Sequence, residues 1–87
     1  MALYGMDVTE VRTLSTQLQT ASSDIHTLVA RLTSALTGTN WLGPDRSKFE
    51  SDWQSHHVMA LNNVASALQD ASTLASQNAQ QQEDASA

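Results

Sequence analysis

The sequence contains no cysteine, so no disulfide can staple it and no thiolate can bind a metal or act as a nucleophile. Aromatic residues are equally scarce, with two Trp, one Tyr and one Phe in 87 residues, which suits long exposed helices better than a deep globular core. Positive charge is confined to Arg12, Arg31, Arg46 and Lys48 against nine Asp and Glu, for a net charge of -5. That balance offers no basic stripe to nucleic acid or to anionic lipid, and neither is expected as a partner. Long hydrophobic runs are missing too, and the first residues lack a positive segment followed by an apolar stretch. The chain therefore reads as soluble, leaderless and without stable membrane insertion. Its length allows one small domain at most.

Breakers are few, and where they fall divides the chain. Asp7 can cap a helix with Glu10 three residues on, and Met6 can staple to Val11, so residues 1–7 read as an arm and a first helix is predicted over 8–37. Apolar residues then recur at steps of three and four through Val11, Leu14, Leu18, Ala21, Ile25, Leu28, Leu32 and Ala35. Val29 and Leu36 widen that stripe beyond what one neighbouring helix would cover. Gly38 is placed to end the helix in the left-handed conformation, and residues 38–43 form a turn around Trp41-Leu42-Gly43. Pro44, the single proline, then opens a second helix over 44–79, with Asp45 favourable at its positive end. Its apolar face runs through Phe49, Trp53, His57, Leu61, Val64, Leu68, Ala71 and Ala75, with intervals that drift near the start, where Val58 and Met59 compete. Residues 80–87 hold no large apolar side chain and are predicted to form a flexible acidic tail.

The expected fold is thus all-α, an antiparallel helix-turn-helix hairpin. Two helices alone bury only one side of each stripe, and no disulfide or metal reinforces them. Pairing of two hairpins into a four-helix bundle is the physical expectation. The residues expected to pack the hairpin and its dimer interface are Val11, Leu14, Leu18, Ile25, Leu28, Val29, Leu32, Leu36, Phe49, Trp53, Leu61, Val64 and Leu68.

No catalytic, cofactor-binding or metal site is expected. Serines and threonines abound without a nucleophile elbow, and the three glycines cradle no phosphate. Asp52 and His56 stand four apart on a helix, but two ligands are too few for a tight metal site. His26 and His56 suggest nothing sharper, and Asp24, Glu50, Asp52 and Asp70 read as solvated charges. His57, on the predicted apolar face, is expected to be partly buried, where its protonation could tune assembly at acidic pH. Trp41 is expected to cover the open end of the hairpin while Gly43 permits the tight turn.

A long heptad helix, Trp41-Leu42-Gly43 near mid-chain, then Pro44-Asp45 and Phe49 followed by Trp53 four residues later, resembles the WXG100 family of early secreted antigenic target-like proteins. The likeness spans roughly residues 6–80. It implies a hairpin that forms a homodimer, or a heterodimer with a WXG100 paralogue. The dimer would leave the cell folded through a type VII (ESX-type) secretion system with an FtsK/SpoIIIE-type ATPase. The turn bearing Trp41 and Gly43 would then contribute to an export recognition surface. One feature departs from the family: its export signal places a Tyr four residues before an acidic residue, whereas this chain has Gln80 and Asp84 at that spacing. A partner chain carrying the Tyr would repair the signal. The expected role is a secreted, non-enzymatic protein acting through helix-helix interactions, with an adaptor or chaperone that escorts a paralogue or larger effector to the same system as the alternative.

Overall fold

The computed structural model describes residues 5–86, and among them every regular element is helical. Helix α1 spans Val8–Gly38, α2 spans Pro44–Asp52, a single π-helical turn covers Trp53–His57, and α3 spans Val58–Ser86. The last three follow without interruption and form one long arm lying antiparallel to α1. The molecule measures 64 × 18 × 15 Å with a radius of gyration of 19.2 Å, against about 12 Å for a compact domain of this length. It is a rod two helices thick.

Each end of α1 has an identifiable cause. At the start, the Glu10 N–H donates to Asp7 Oδ1 at 3.0 Å, which satisfies one of the orphan donors of the first turn. At the far end, the expected left-handed Gly38 does not occur: Gly38 is the last helical residue, and positive φ is confined to Gly5 and Gly43 among the described residues. Thr39 ends the helix instead. Its backbone turns extended (φ -80°, ψ 133°), its N–H donates to the Leu36 carbonyl, and its hydroxyl donates to the Ala35 carbonyl at 2.6 Å. Gly43, at φ 107° and ψ -176°, occupies backbone space closed to side-chain-bearing residues, and Pro44 follows as the first helical residue, where its missing N–H is harmless.

The arms meet along a line of small residues. On α1 it passes through Val11, Ser15, Leu18, Ser22, Ile25 and Val29, and on α3 through Leu61, Ala65, Leu68, Ser72, Ala75 and Ala79. The fully enclosed members are Ser15, Ser22, Ala65, Ser72 and Ala79. Ser15 Oγ donates to the Ser72 carbonyl at 2.8 Å and Ser72 Oγ donates to the Ser15 carbonyl at 2.7 Å, while Ser22 Oγ donates to the Ala65 carbonyl at 2.7 Å. Hydroxyls that reach the opposite backbone let the helices approach closely, and among the described residues no buried side-chain donor or acceptor is left unpaired.

That line corrects the predicted seam. Leu14, Leu28 and Leu32 remain 48%, 43% and 42% exposed, since the contact centres part of a turn away on the serines. The second helix is corrected twice. The five-residue π turn, in which the Val58 N–H reaches back to the Trp53 carbonyl, inserts one extra residue into the heptad. Steps of eight from Phe49 to His57 and from Trp53 to Leu61 replace steps of seven, which is the drift visible in the sequence. The helix also continues through Ser86, where the sequence predicts a flexible tail from residue 80. Ala79 is fully buried against α1, and Arg12 Nη2 donates to Gln80 Oε1 at 3.1 Å and to Glu83 Oε2 at 2.6 Å. A small side chain and one cation hold this segment in place without any large apolar residue.

Candidate helix-binding face and bend

The hairpin has two unlike faces. One is polar: Ser22, Ser23, His26, Ala65, Ser66, Gln69 and Asp70 line a shallow groove between the arms. The other carries the residues displaced from the seam. The polar groove takes the residues that follow the contact line on each arm, Ser23 after Ser22 and Ser66 after Ala65. Those that precede it, Leu14, Ala21 and Leu28 on α1 and Val64 on α3, therefore lie on the opposite side, and of these the two leucines and Val64 are exposed. Leu32 and Leu36 converge there with Phe49 and Trp53 around an apolar hollow of about 130 Å³. Among the described residues eight large hydrophobic side chains are exposed, and five of them, Leu14, Leu28, Leu32, Phe49 and Val64, share this face. A monomer rarely leaves such a contiguous surface uncovered.

The remaining predicted packing residues lie where the arms touch. Val11, Leu18, Ile25, Val29, Leu36, Trp53, Leu61 and Leu68 are half-buried between them. Trp53 is held further by its indole N–H, which donates to Thr33 Oγ1 at 2.9 Å. Sequence reasoning missed the most enclosed residues of all. Ser15, Ser22 and Ser72 gave no apolar signal, although their seven-residue spacing within each arm, continued by Ala65 and Ala79, was readable.

At the bend, Trp41 is half-buried and packs against Phe49, with ring centroids 5.5 Å apart at 52°. Arg46 ties the turn together. Its Nη1 donates to the Thr39 carbonyl at 3.1 Å and to the Trp41 carbonyl at 2.8 Å, while its Nε pairs with Glu50 at 3.3 Å. Leu42 projects from the tip, 86% exposed. Asp45, Lys48 and Asp52 surround the two rings on the outer side.

The charges read as solvated fall into different settings. Glu50 is half-buried against Arg46, and Asp52 accepts from Lys48 Nζ at 3.0 Å. The Lys48 hydrogen bond and then its charge, with smaller help from His56 and His57, hold the Asp52 carboxyl below its ordinary value despite slight desolvation. The expected burial of His57 is not observed: it is exposed, its ring 6.2 Å from that of Trp53, because the π turn rotates it off the contact line. Gln80 accepts from Arg12 and donates to Asp84 Oδ1 at 2.9 Å. Among the described residues no three His, Asp or Glu side chains converge as metal ligands, and no helix is long and apolar enough to cross a membrane. Comparison of the chain with protein-family models, with curated proteins and with solved structures finds no match.

Proposed function

We propose that this chain is a WXG100-type protein, exported folded as a dimer by a type VII secretion system, which acts by binding other helices and performs no chemistry. One observation carries the reading: a Trp41-Leu42-Gly43 bend, with Gly43 at φ 107°, joins two antiparallel arms that leave a row of leucines uncovered on one face. A hairpin of this shape gains its missing core by laying that face on a second hairpin, each fully buried Leu contributing roughly 1.5 to 3 kcal/mol. The protein should appear in culture medium with its own N-terminus intact. Deletion of the FtsK/SpoIIIE-type ATPase should abolish that appearance, and export that continues without the ATPase would refute the assignment.

A second reading draws on Gln80. With a glutamine where the export signal has Tyr, and with that glutamine engaged by Arg12 and Asp84, the aromatic half of the signal would come from another chain. The protein would then serve as an adaptor for a paralogue or a larger effector. Co-expression with its genomic neighbours distinguishes the two, since an adaptor co-purifies with its client and is unstable without it.

A further inference from the structure

We propose that the hollow on the outer side of the bend is a binding site for a cationic side chain, arginine ahead of lysine, presented by a partner protein. This goes beyond the leucine face and requires neither a dimer nor export. Trp41, Asp45, Lys48, Phe49 and Asp52 line a space of about 370 Å³ there. Trp41 and Phe49 supply its apolar wall, their ring centroids 5.5 Å apart and their planes tilted by 52°. Its two carboxylates differ in what they already hold. Asp52 accepts from Lys48 Nζ at 3.0 Å. Asp45 is exposed and makes no hydrogen bond or ion pair among the described residues. Its place in the first turn of α2, where the helix dipole favours negative charge, lets it stand without a partner.

The cations of the bend are committed elsewhere. Arg46 holds the Thr39 and Trp41 carbonyls and pairs with Glu50, while Lys48 pairs with Asp52. Two carboxylates against one ammonium leave the hollow negative beside two aromatic rings, and no cation of this chain serves Asp45. A planar guanidinium lies against an indole or phenyl face while its N–H groups donate to a carboxylate, so it uses both halves of the hollow at once. The lysine ammonium is a compact, strongly hydrated charge and gains less from the rings. A quaternary ammonium such as a choline headgroup fits an aromatic wall but has no N–H for Asp45, which favours a protein side chain over a lipid. The adjoining Leu42, 86% exposed at the tip, offers an apolar contact to the residues around that arginine.

The test titrates the purified full chain, at constant ionic strength, with N-acetyl-arginine amide, its uncharged isostere N-acetyl-citrulline amide, and choline chloride. The indole N–H signals of Trp41 and Trp53 are followed by NMR, with Trp53, bonded to Thr33, as the internal control. Arginine amide should shift the Trp41 signal saturably and leave that of Trp53 in place. Its dissociation constant should be on the order of 100 mM, the strength of one exposed cation–π contact and one exposed ion pair together. Asp45→Asn should weaken binding by about threefold with helicity unchanged by circular dichroism. Absence of a saturable Trp41 shift would overturn the proposal, as would citrulline amide binding as well as arginine amide or Asp45→Asn binding like the native chain. Choline binding more tightly than arginine amide would overturn the assignment to a protein side chain. The citrulline comparison needs no variant, so it decides the matter even if Asp45→Asn fails to fold. Export is read separately from the culture medium, so either reading can fail while the other stands.

Discussion

The residues that hold the arms together are the least conspicuous in the sequence. Ser15 and Ser72 exchange hydroxyl-to-carbonyl hydrogen bonds in both directions, and Ser22 adds a third. Ser15→Ala removes one such bond and should lower stability by about 1 kcal/mol. Ser22→Leu inserts bulk where the backbones are closest and should lower it by about 1 to 3 kcal/mol, although Leu is the better helix former and the more apolar residue. Urea denaturation compares the two, and an unchanged midpoint for Ser22→Leu would show that the arms are not closely packed there. At the bend, Lys48→Met should raise the Asp52 carboxyl toward its ordinary range in an NMR titration, since the Lys48 hydrogen bond and charge are the largest causes of its lowering. Because the folded Asp52 titrates below that range, its pairing stabilises the protein above the unfolded pKa and is lost as pH falls through the lowered one. Asp52 is exposed to solvent, so that stabilisation is small.

At the scale of elements, two devices decide how the arms line up. The π turn at Trp53–His57 adds one residue to the heptad, which keeps Phe49 with the leucine face and Trp53 on the contact line with Leu61 and Leu68. Deleting Ser55 should therefore convert the π turn to an ordinary helical one without moving either aromatic residue. The expected result is unchanged helicity and an unchanged Trp fluorescence maximum, and a red shift would show that the extra residue does not set the phase. The second device is Arg12, which reaches from the first turns of α1 to Gln80 and Glu83. Arg12→Ala should lower hydrogen-exchange protection over residues 80–85 while leaving residues 58–75 unaffected. The pair is exposed and worth about 0.2 to 1 kcal/mol, so high salt should reproduce part of the effect.

The whole molecule is a thin rod, 64 Å long and 18 Å across at most, and no large side chain is fully buried anywhere among the described residues. Such a rod has little core of its own. If its leucine face is covered by another hairpin, folding is coupled to association and the thermal midpoint rises with concentration. Melting followed by circular dichroism between about 1 and 100 µM tests this, and a midpoint independent of concentration would mean that the single hairpin is sufficient.

What the sequence alone determined was the number and kind of elements. Asp7, Pro44 and Gly43 mark starts and the bend through local backbone chemistry, and the three-four spacing of apolar residues over some 60 positions admits only helices. Which line of each helix meets the other was decided by the tertiary structure. Leu14, Leu28 and Leu32 gave the stronger apolar signal, but the closest approach of two backbones selects the smallest side chains, and a serine satisfied by a carbonyl across the interface behaves there as a small core residue. The continuation of α3 past residue 79 was hidden for the same reason, since Ala79 and a cation arriving from Arg12 have value only once the arms are side by side. The leucines left over are the informative remainder: a pattern legible as core in the sequence becomes, in the folded hairpin, an exposed surface suited to another helix.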